Sequence, residues 1–422
     1  MTPRKGTAVI GAGMLGLVTA LRLAQRGESV TVIERAAVPG GLASSFEPSP
    51  GANKLERFYH HIFQSDRYMI GLIDELGLSD RLFWSAPVTA CLCGDTIARL
   101  DSARSLLQFS PLPLVDRVRL GIAMGILKLS PAPGPYERKL AQRWLRSVAG
   151  TRAHNTVFQP LFEAKFGSHA EEISLAWFWA RIHDRTSKLG YLHGGFASIY
   201  EALAKIIADL GHEVRFGESI QGIETIDGGL RVTADSGYSA QFDRVVATMP
   251  LRTLARVAPE IPNDFVEHYG EAPGMSARCL ILALDRPVSN VYWINVCEPR
   301  APFTVFVEHT NLEPASAYGG LHLVYLGNYG ARFEKKSDDV LLDEFEPLLR
   351  RINPGFSRSW VRNSWQFIAP DAQPVVPIGY RRPPFATPVA GLFVGNLFQV
   401  YPHDRGQNYA VELAEHLVSS LS

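Results

Sequence analysis

The stretch Thr7-Ala8-Val9-Ile10-Gly11-Ala12-Gly13-Met14-Leu15-Gly16 decides how the rest of the chain is read. Four residues suited to a buried strand stop abruptly at Gly11, and the segment that follows, LVTALRLAQRG, has the composition of a helix. A second apolar run, SVTVIE, ends on Glu34. Strand, glycine turn, helix and strand in that order form the unit that holds a dinucleotide at a helix N-terminus. Gly11 makes the tight turn, Gly13 keeps a side chain away from a pyrophosphate, and Gly16 lets the helix lie close on the strand. Glu34 accepts hydrogen bonds from a ribose 2′-OH and, as an anion, repels a 2′-phosphate. The expected ligand is therefore FAD or NAD rather than NADP.

A second glycine pair separates those two. Arg35-Ala36-Ala37-Val38-Pro39-Gly40-Gly41-Leu42 brings a backbone loop behind the acid, where it can approach the pyrophosphate and ribityl chain of FAD. Here the sequence resembles the FAD-binding fingerprint of the flavin amine oxidase, protoporphyrinogen oxidase and phytoene desaturase superfamily. The resemblance implies that Gly11, Gly13, Met14, Leu15, Gly16, Glu34, Arg35, Gly40, Gly41 and Leu42 line the cofactor. Leu42 departs from the arginine that the family often has there.

Composition sets outer bounds. The 422 residues are enough for two or three domains with substantial cores, and 46% hydrophobic with 20% charged residues describes an ordinary globular protein. Lys plus Arg and Asp plus Glu both number 42, so the balance gives no reason to expect a nucleic-acid partner. Cys91, Cys93, Cys279 and Cys297 have neither disulfide-framework nor metal-site spacing, and are expected to be small buried hydrophobes with no metal. MTPRKG runs straight into the first strand and no apolar run reaches spanning length, so a cytoplasmic protein is expected.

After the glycine pair comes Tyr59-His60-His61-Ile62-Phe63, followed by a helix that starts at Ser65 or Asp66. The segment resembles the histidine segment lying over the flavin in UDP-galactopyranose mutases. That likeness implies His60 at the cofactor and His61 as the catalytic candidate facing the ring.

Residues 86–105 alternate as short strands do. A helix is expected after Pro113, with Leu114, Val118, Ile122 and Ile126 along one face. A core helix is the favoured reading of that face; peripheral membrane contact is the alternative. Helical pieces follow at LAQRWLRSVAG, HNTVFQPLFEAKFG and SLAWFWARIHDR, in an order that resembles the substrate-domain helices of the protoporphyrinogen oxidase-like branch. Arg181 and Arg185 share a helix face and could grip a phosphate, although a solvated face is the commoner explanation. The unit from Gly190 to Ile223 (glycine pair, helix, strand) resembles the superfamily's second FAD segment, which implies Ile220 at the adenine edge.

From about 275 to 385 aromatic-rich strands, interrupted by one helix at Ser337–Ile352, read as the substrate-domain sheet. The chain closes with Gly391-Leu392-Phe393-Val394-Gly395-Asn396, then Tyr401-Pro402-His403-Asp404-Arg405-Gly406-Gln407-Asn408 and a final helix. The superfamily closes its FAD site in this way, which implies Gly395, Asn396, Gly406, Gln407 and Asn408 at the cofactor, with Tyr401 and Arg405 as further catalytic candidates. Asn396 stands where the family usually has an acid. The positive end of the last helix would face the flavin pyrimidine edge.

The expected fold is α/β: a discontinuous doubly wound, Rossmann-like FAD-binding domain (1–85, 190–275 and 386–422) with an inserted α+β substrate domain (86–189 and 276–385). The expected function is that of a FAD-dependent oxidoreductase moving a hydride from a substrate C–H to flavin N5. The substrate is a small molecule, open among a sugar nucleotide, an amine and an isoprenoid. The alternative is a non-redox mutase resembling UDP-galactopyranose mutase, with Arg181, Arg185 or Arg278 on a diphosphate. A third reading, a prenyl-binding escort like the GDP-dissociation inhibitors, sits poorly with the Gly40 pair.

Overall fold

The computed structural model describes residues 6–270, 274–403 and 406–421. Its cofactor-type sheet has five strands in the order Glu213–Phe216, Val30–Glu34, Thr7–Ile10, Arg244–Ala247 and Leu392–Val394. All are parallel, and the central runs are buried on both faces, which is why they read as unbroken apolar stretches rather than alternating ones. Helices Met14–Gln25, Ala197–Asp209 and Gln407–Ser420 pack together on one face. The other face carries the antiparallel strands Ile220–Ile226, Gly229–Ala234 and Ser239–Phe242 and the short helix Leu251–Val257. Three distant parts of the chain thus build one sheet.

A second sheet of seven strands runs Val361–Pro374, Gly274–Leu284, His322–Gly330, Val305–Glu308, Trp293–Val296, Thr89–Cys93 and Thr96–Arg99. Strand alternation sorts the residues of Gly274–Leu284: Cys279, Ile281 and Ala283 join the core shared with the five-stranded sheet, whereas Leu280, Leu282 and Leu284 pack toward helix Asp338–Ile352. Ser337 caps that helix by accepting from the Val340 N–H.

Between Ala103 and His183 a helical insert has its own core. Trp177 and Trp179 are both buried there. The segment from Thr151 to Phe166 is helical throughout but passes through a π-helical stretch at His154–Phe158.

The helix Leu114–Leu129 corrects one expectation. Its core side is Leu120, Ala123 and Leu127, while Leu114, Val118, Ile122 and Ile126 face outward at 61, 45, 57 and 45% exposure. Apolar periodicity marks a face, but not which side of the helix the protein covers. Among the described residues no helix is long and apolar enough to cross a membrane.

Candidate functional site

The glycine turn is shaped by contacts that tolerate no side chain. Gly11 has φ +108°, and a Cβ there would lie 2.2 Å from Thr248 Oγ1. A Cβ on Gly16 would lie 1.9 Å from the Gly11 carbonyl oxygen, so the helix can rest on the strand only as it does with glycine. Gly13 differs: a Cβ there would meet nothing nearer than the Gly41 Cα at 3.9 Å. Gly40 donates its N–H to the Ala12 carbonyl at 2.8 Å and so holds the second glycine pair against the first. Gly13 and Gly41 thus approach backbone to backbone, so that the slot beside them at the helix start carries no side chain from either. The first helical bond is from Leu17 N–H to Gly13 O, so the N–H groups of Met14, Leu15 and Gly16 begin the helix without intrahelical partners.

Glu34 is buried beside this slot, accepting from the Ala12 N–H at 2.7 Å and the Ala36 N–H at 2.8 Å. Arg35 and Leu42 are exposed at its rim. Ile220 is half-buried where the antiparallel strands begin, opposite Ala234.

From the other end of the chain, Gly395 donates to Ala247 O, and a Cβ on it would strike Leu417 and crowd Leu15. The Asn396 side chain is committed locally, accepting from the Phe398 N–H and donating to Met249 O. Asn408 likewise accepts from the Tyr68 and Met69 N–H groups, which ties the final helix to the first turn of helix Arg67–Glu75. Gln407, at the start of the last helix, accepts from Tyr200 OH at 3.0 Å, and its Nε2 is buried with no partner. Gly406 is extended, a conformation open to any residue. Arg405 and Asp404 lie outside the described residues.

The histidine segment forms a wall. Ile62–Phe63 pairs with Leu189–Gly190, and a Cβ on Gly190 would collide with Ile62 and Trp84. His60 Nδ1 is 2.7 Å from Phe58 O. His61 packs edge-on to Phe63 and Trp293, and its Nδ1 is buried without a partner. Burial, reinforced by Arg185, His60 and Arg181, pushes its pKa down to about 3, so the ring is neutral at physiological pH. His61 keeps part of its surface accessible and Arg185 is exposed. Arg181 lies over the Trp177 ring at 5.2 Å, and Lys165 over Trp177 and Tyr329. The Arg185 guanidinium makes no hydrogen bond or ion pair among the described residues.

Arg278 is on the wrong side. It shares its strand face with Leu280 and Leu282, stacks on Phe333 and donates to Glu334 O, so the sheet stands between it and His61. Tyr401 is 3.1 Å from Ser174 Oγ and lines a small pocket with Trp177, Gln373 and His403.

The sequence reading missed a cluster next to this wall. Asp184 accepts from Tyr409 OH at 2.6 Å and pairs with His403 Nδ1 at 2.9 Å, while the His403 and Tyr409 rings stack at 4.2 Å. Burial alone would raise Asp184, but these hydrogen bonds hold its carboxyl below the usual value. Asp66, which accepts from the Phe63 N–H, is pushed up to about 6 by burial, with repulsion from Asp184 adding to it. More than 200 residues separate Asp184 from His403 and Tyr409, so no local spacing announced the cluster.

The side-chain-free slot at the helix start beside Gly13 and Gly41 and the orphaned Gln407 Nε2 suit a flavin dinucleotide: one leaves a diphosphate access to the helix N–H groups, the other offers a donor to a ring or ribityl oxygen. The sequence model of the family described as flavin-containing amine oxidoreductase matches residues 15–398. The chain belongs to that family.

FAD is accordingly its cofactor, and the flavin-containing amine oxidoreductases account for the fold. The soybean (Glycine max) 15-cis-phytoene desaturase is 24% identical over 315 residues, covering 67% of this chain and 54% of that protein. The chain thus spans about half the length of the curated relative it matches. A protein from Exiguobacterium provisionally assigned as a protoporphyrinogen oxidase has the same fold, with TM-score 0.77 and 16% identity over 100% of this chain and 99% of that one. Reduced UDP-galactopyranose mutase superposes with TM-score 0.76 and 16% identity over 99% and 96% of the two chains. Cyclohexylamine oxidase from Brevibacterium oxydans does so with 0.74 and 15% over 99% and 100%.

Proposed function

We propose that this member of the flavin-containing amine oxidoreductases oxidises a small organic substrate held beside His61, with a C–H hydride passing to flavin N5. The observation that carries the reading is the pair of buried polar atoms without partners, His61 Nδ1 and Gln407 Nε2, on elements joined through Asn408 and helix Arg67–Glu75. Bound FAD supplies the two-electron acceptor. Gly13 and Gly41 leave the diphosphate room at the helix start, and Glu34 takes the ribose hydroxyls. The N-terminus of Gln407–Ser420 offers a positive dipole end to charge that develops on reduction. His61 orients the reacting group as a neutral hydrogen-bonding ring, and Arg185 adds a fixed positive charge next to it.

The deciding experiment is an anaerobic screen of amines, sugar nucleotides and isoprenoids that follows bleaching of the flavin absorbance. Bleaching by a member of one class supports the reading; failure of every class, together with turnover of a UDP-sugar by the dithionite-reduced enzyme without net oxidation, replaces it with the mutase. The unpartnered Arg185 beside His61 favours that second reading, because a guanidinium suits a diphosphate.

His61→Ala is expected to keep its FAD and to slow flavin reduction by about 100-fold, the usual size of a lost proton-handling or orienting group. Since the His61 pKa lies near 3, the wild-type rate should show no step from this histidine between about pH 5 and 9. Stopped-flow reduction across that range checks both; a step near pH 6.5 that vanishes in the variant would refute the neutral ring.

A further inference from the structure

Fifteen large hydrophobic side chains are exposed among the described residues, and six of them stand on the one helix Leu114–Leu129. They are Leu114, Val115, Val118, Ile122, Ile126 and Leu129, the last 84% exposed. At about 100° per residue they fall within an arc of about 120°, opposite the buried Leu120, Ala123 and Leu127. The same geometry sets Arg117 and Lys128 along one margin of the apolar stripe and Arg119 along the other.

Among the described residues those cations make no ion pair with a carboxylate. Arg117 donates to the carbonyls of Leu112 and Leu107, Arg119 to Ser147 O, and Lys128 to His183 O and Arg185 O. The helix has a single acid, Asp116, on its inner side, 3.8 Å from Arg152. In a chain whose charges balance overall, this element keeps an uncompensated positive charge around an apolar surface.

We propose that helix Leu114–Leu129 seats the protein on an anionic lipid bilayer, lying in the interfacial plane with its six exposed apolar side chains among the acyl chains and Arg117, Arg119 and Lys128 at the level of the phosphates. Charge decides against a second copy as the occupant, since pairing the face with itself would bring two sets of cations together with no acid between them. Length decides against insertion across the bilayer: 16 residues rise about 24 Å, short of a hydrocarbon core of about 30 Å, and the inner side of the helix is already packed. Apolar burial together with phosphate attraction is the pairing by which in-plane helices bind. Because Lys128 is fastened to the carbonyls of His183 and Arg185, the seated helix is joined to the segment that carries Arg185.

The test is sedimentation of the FAD-loaded protein with phosphatidylcholine vesicles, and with vesicles in which phosphatidylglycerol replaces half of that lipid. The expected result is binding to the anionic vesicles that weakens with added salt, and little binding to the neutral ones. The triple variant V118E/I122E/I126E, whose three positions are exposed, should keep its flavin content and melting temperature while its partitioning falls about 100-fold or more. A wild-type protein that stays in the supernatant with both vesicle types overturns the proposal, as does a variant that binds as well as wild type. So does a dimer in light scattering that the variant dissolves in the absence of vesicle binding. Flavin bleaching by substrate plays no part in any of these readouts.

Discussion

Gly13→Val is expected to give a folded protein that has lost its yellow colour. The Gly13 Cβ position has only the Gly41 Cα within 4 Å, so the added side chain enters the slot rather than the core, and the sheet and helix keep their packing. What it displaces is the close approach of a diphosphate to the N–H groups of Met14, Leu15 and Gly16. Losing two or three charge-assisted hydrogen bonds costs about 3 kcal/mol or more, which is about 100-fold or more in FAD affinity. Gly16→Val should fail differently. Its Cβ would overlap the Gly11 carbonyl, and the opening helix would have to lift off the strand, so the fold itself is lost. Flavin absorbance per mole of protein, read beside the far-ultraviolet dichroism of both variants, separates the outcomes. A Gly13→Val protein with full FAD content would mean that the diphosphate lies elsewhere.

The second large effect concerns Glu56, which is fully buried where the cofactor sheet meets the seven-stranded one. Its carboxyl accepts from Tyr191 OH at 2.8 Å and the Phe196 N–H at 2.7 Å, and its backbone carbonyl accepts from Tyr325 OH. Burial pushes its pKa up to about 7, with those hydrogen bonds opposing the rise only in part. Glu308 is in the same condition, also raised to about 7 by burial, while accepting from the Val288 and Ser289 N–H groups and from Thr310. Both folded pKa values lie above the unfolded ones, so the fold binds the proton more tightly. That stabilisation is complete below about pH 4.5 and is lost as pH rises through about 7, with Glu56 contributing up to about 3 kcal/mol. Melting temperature should therefore fall from pH 6 to pH 8, and Glu56→Gln should flatten the slope. Glu56→Ala should cost about 3 kcal/mol or more at any pH, because it strands the Tyr191 hydroxyl and the Phe196 N–H in the core and leaves a void. A flat melting profile in the wild type would show that Glu56 is ionised throughout.

Much of the cofactor half was legible because its constraints are local. Gly11 must adopt a positive φ, Gly16 must clear a carbonyl one turn away, and Glu34 must end the strand beside them, all within 28 residues of chain. The helix expected at Ser337–Ile352 is present at Asp338–Ile352, with Ser337 as its cap. The remaining disagreements arise where a face or a partner lies far off in sequence. Arg278 looks like a phosphate ligand in one dimension, and only the alternation of its strand against helix Asp338–Ile352 puts it on the far face. Asn396 and Asn408, at positions implied for the cofactor, each also accept backbone N–H groups on the side-chain carbonyl, from Phe398 in one case and from Tyr68 and Met69 in the other.

By itself, then, the sequence marked a dinucleotide-type turn near its start and, through its resemblance to the family, a flavin rather than a nicotinamide as the ligand. Those features are set by short-range sterics and hydrogen bonding, which travel with a motif. The tertiary structure alone decided that Asp184 meets His403 and Tyr409, that Arg185 comes near His61, and that the apolar stripe from Leu114 to Leu129 faces outward. Each of these depends on which surfaces other elements cover, and burial of that kind is a property of the packed whole, not of any stretch within it.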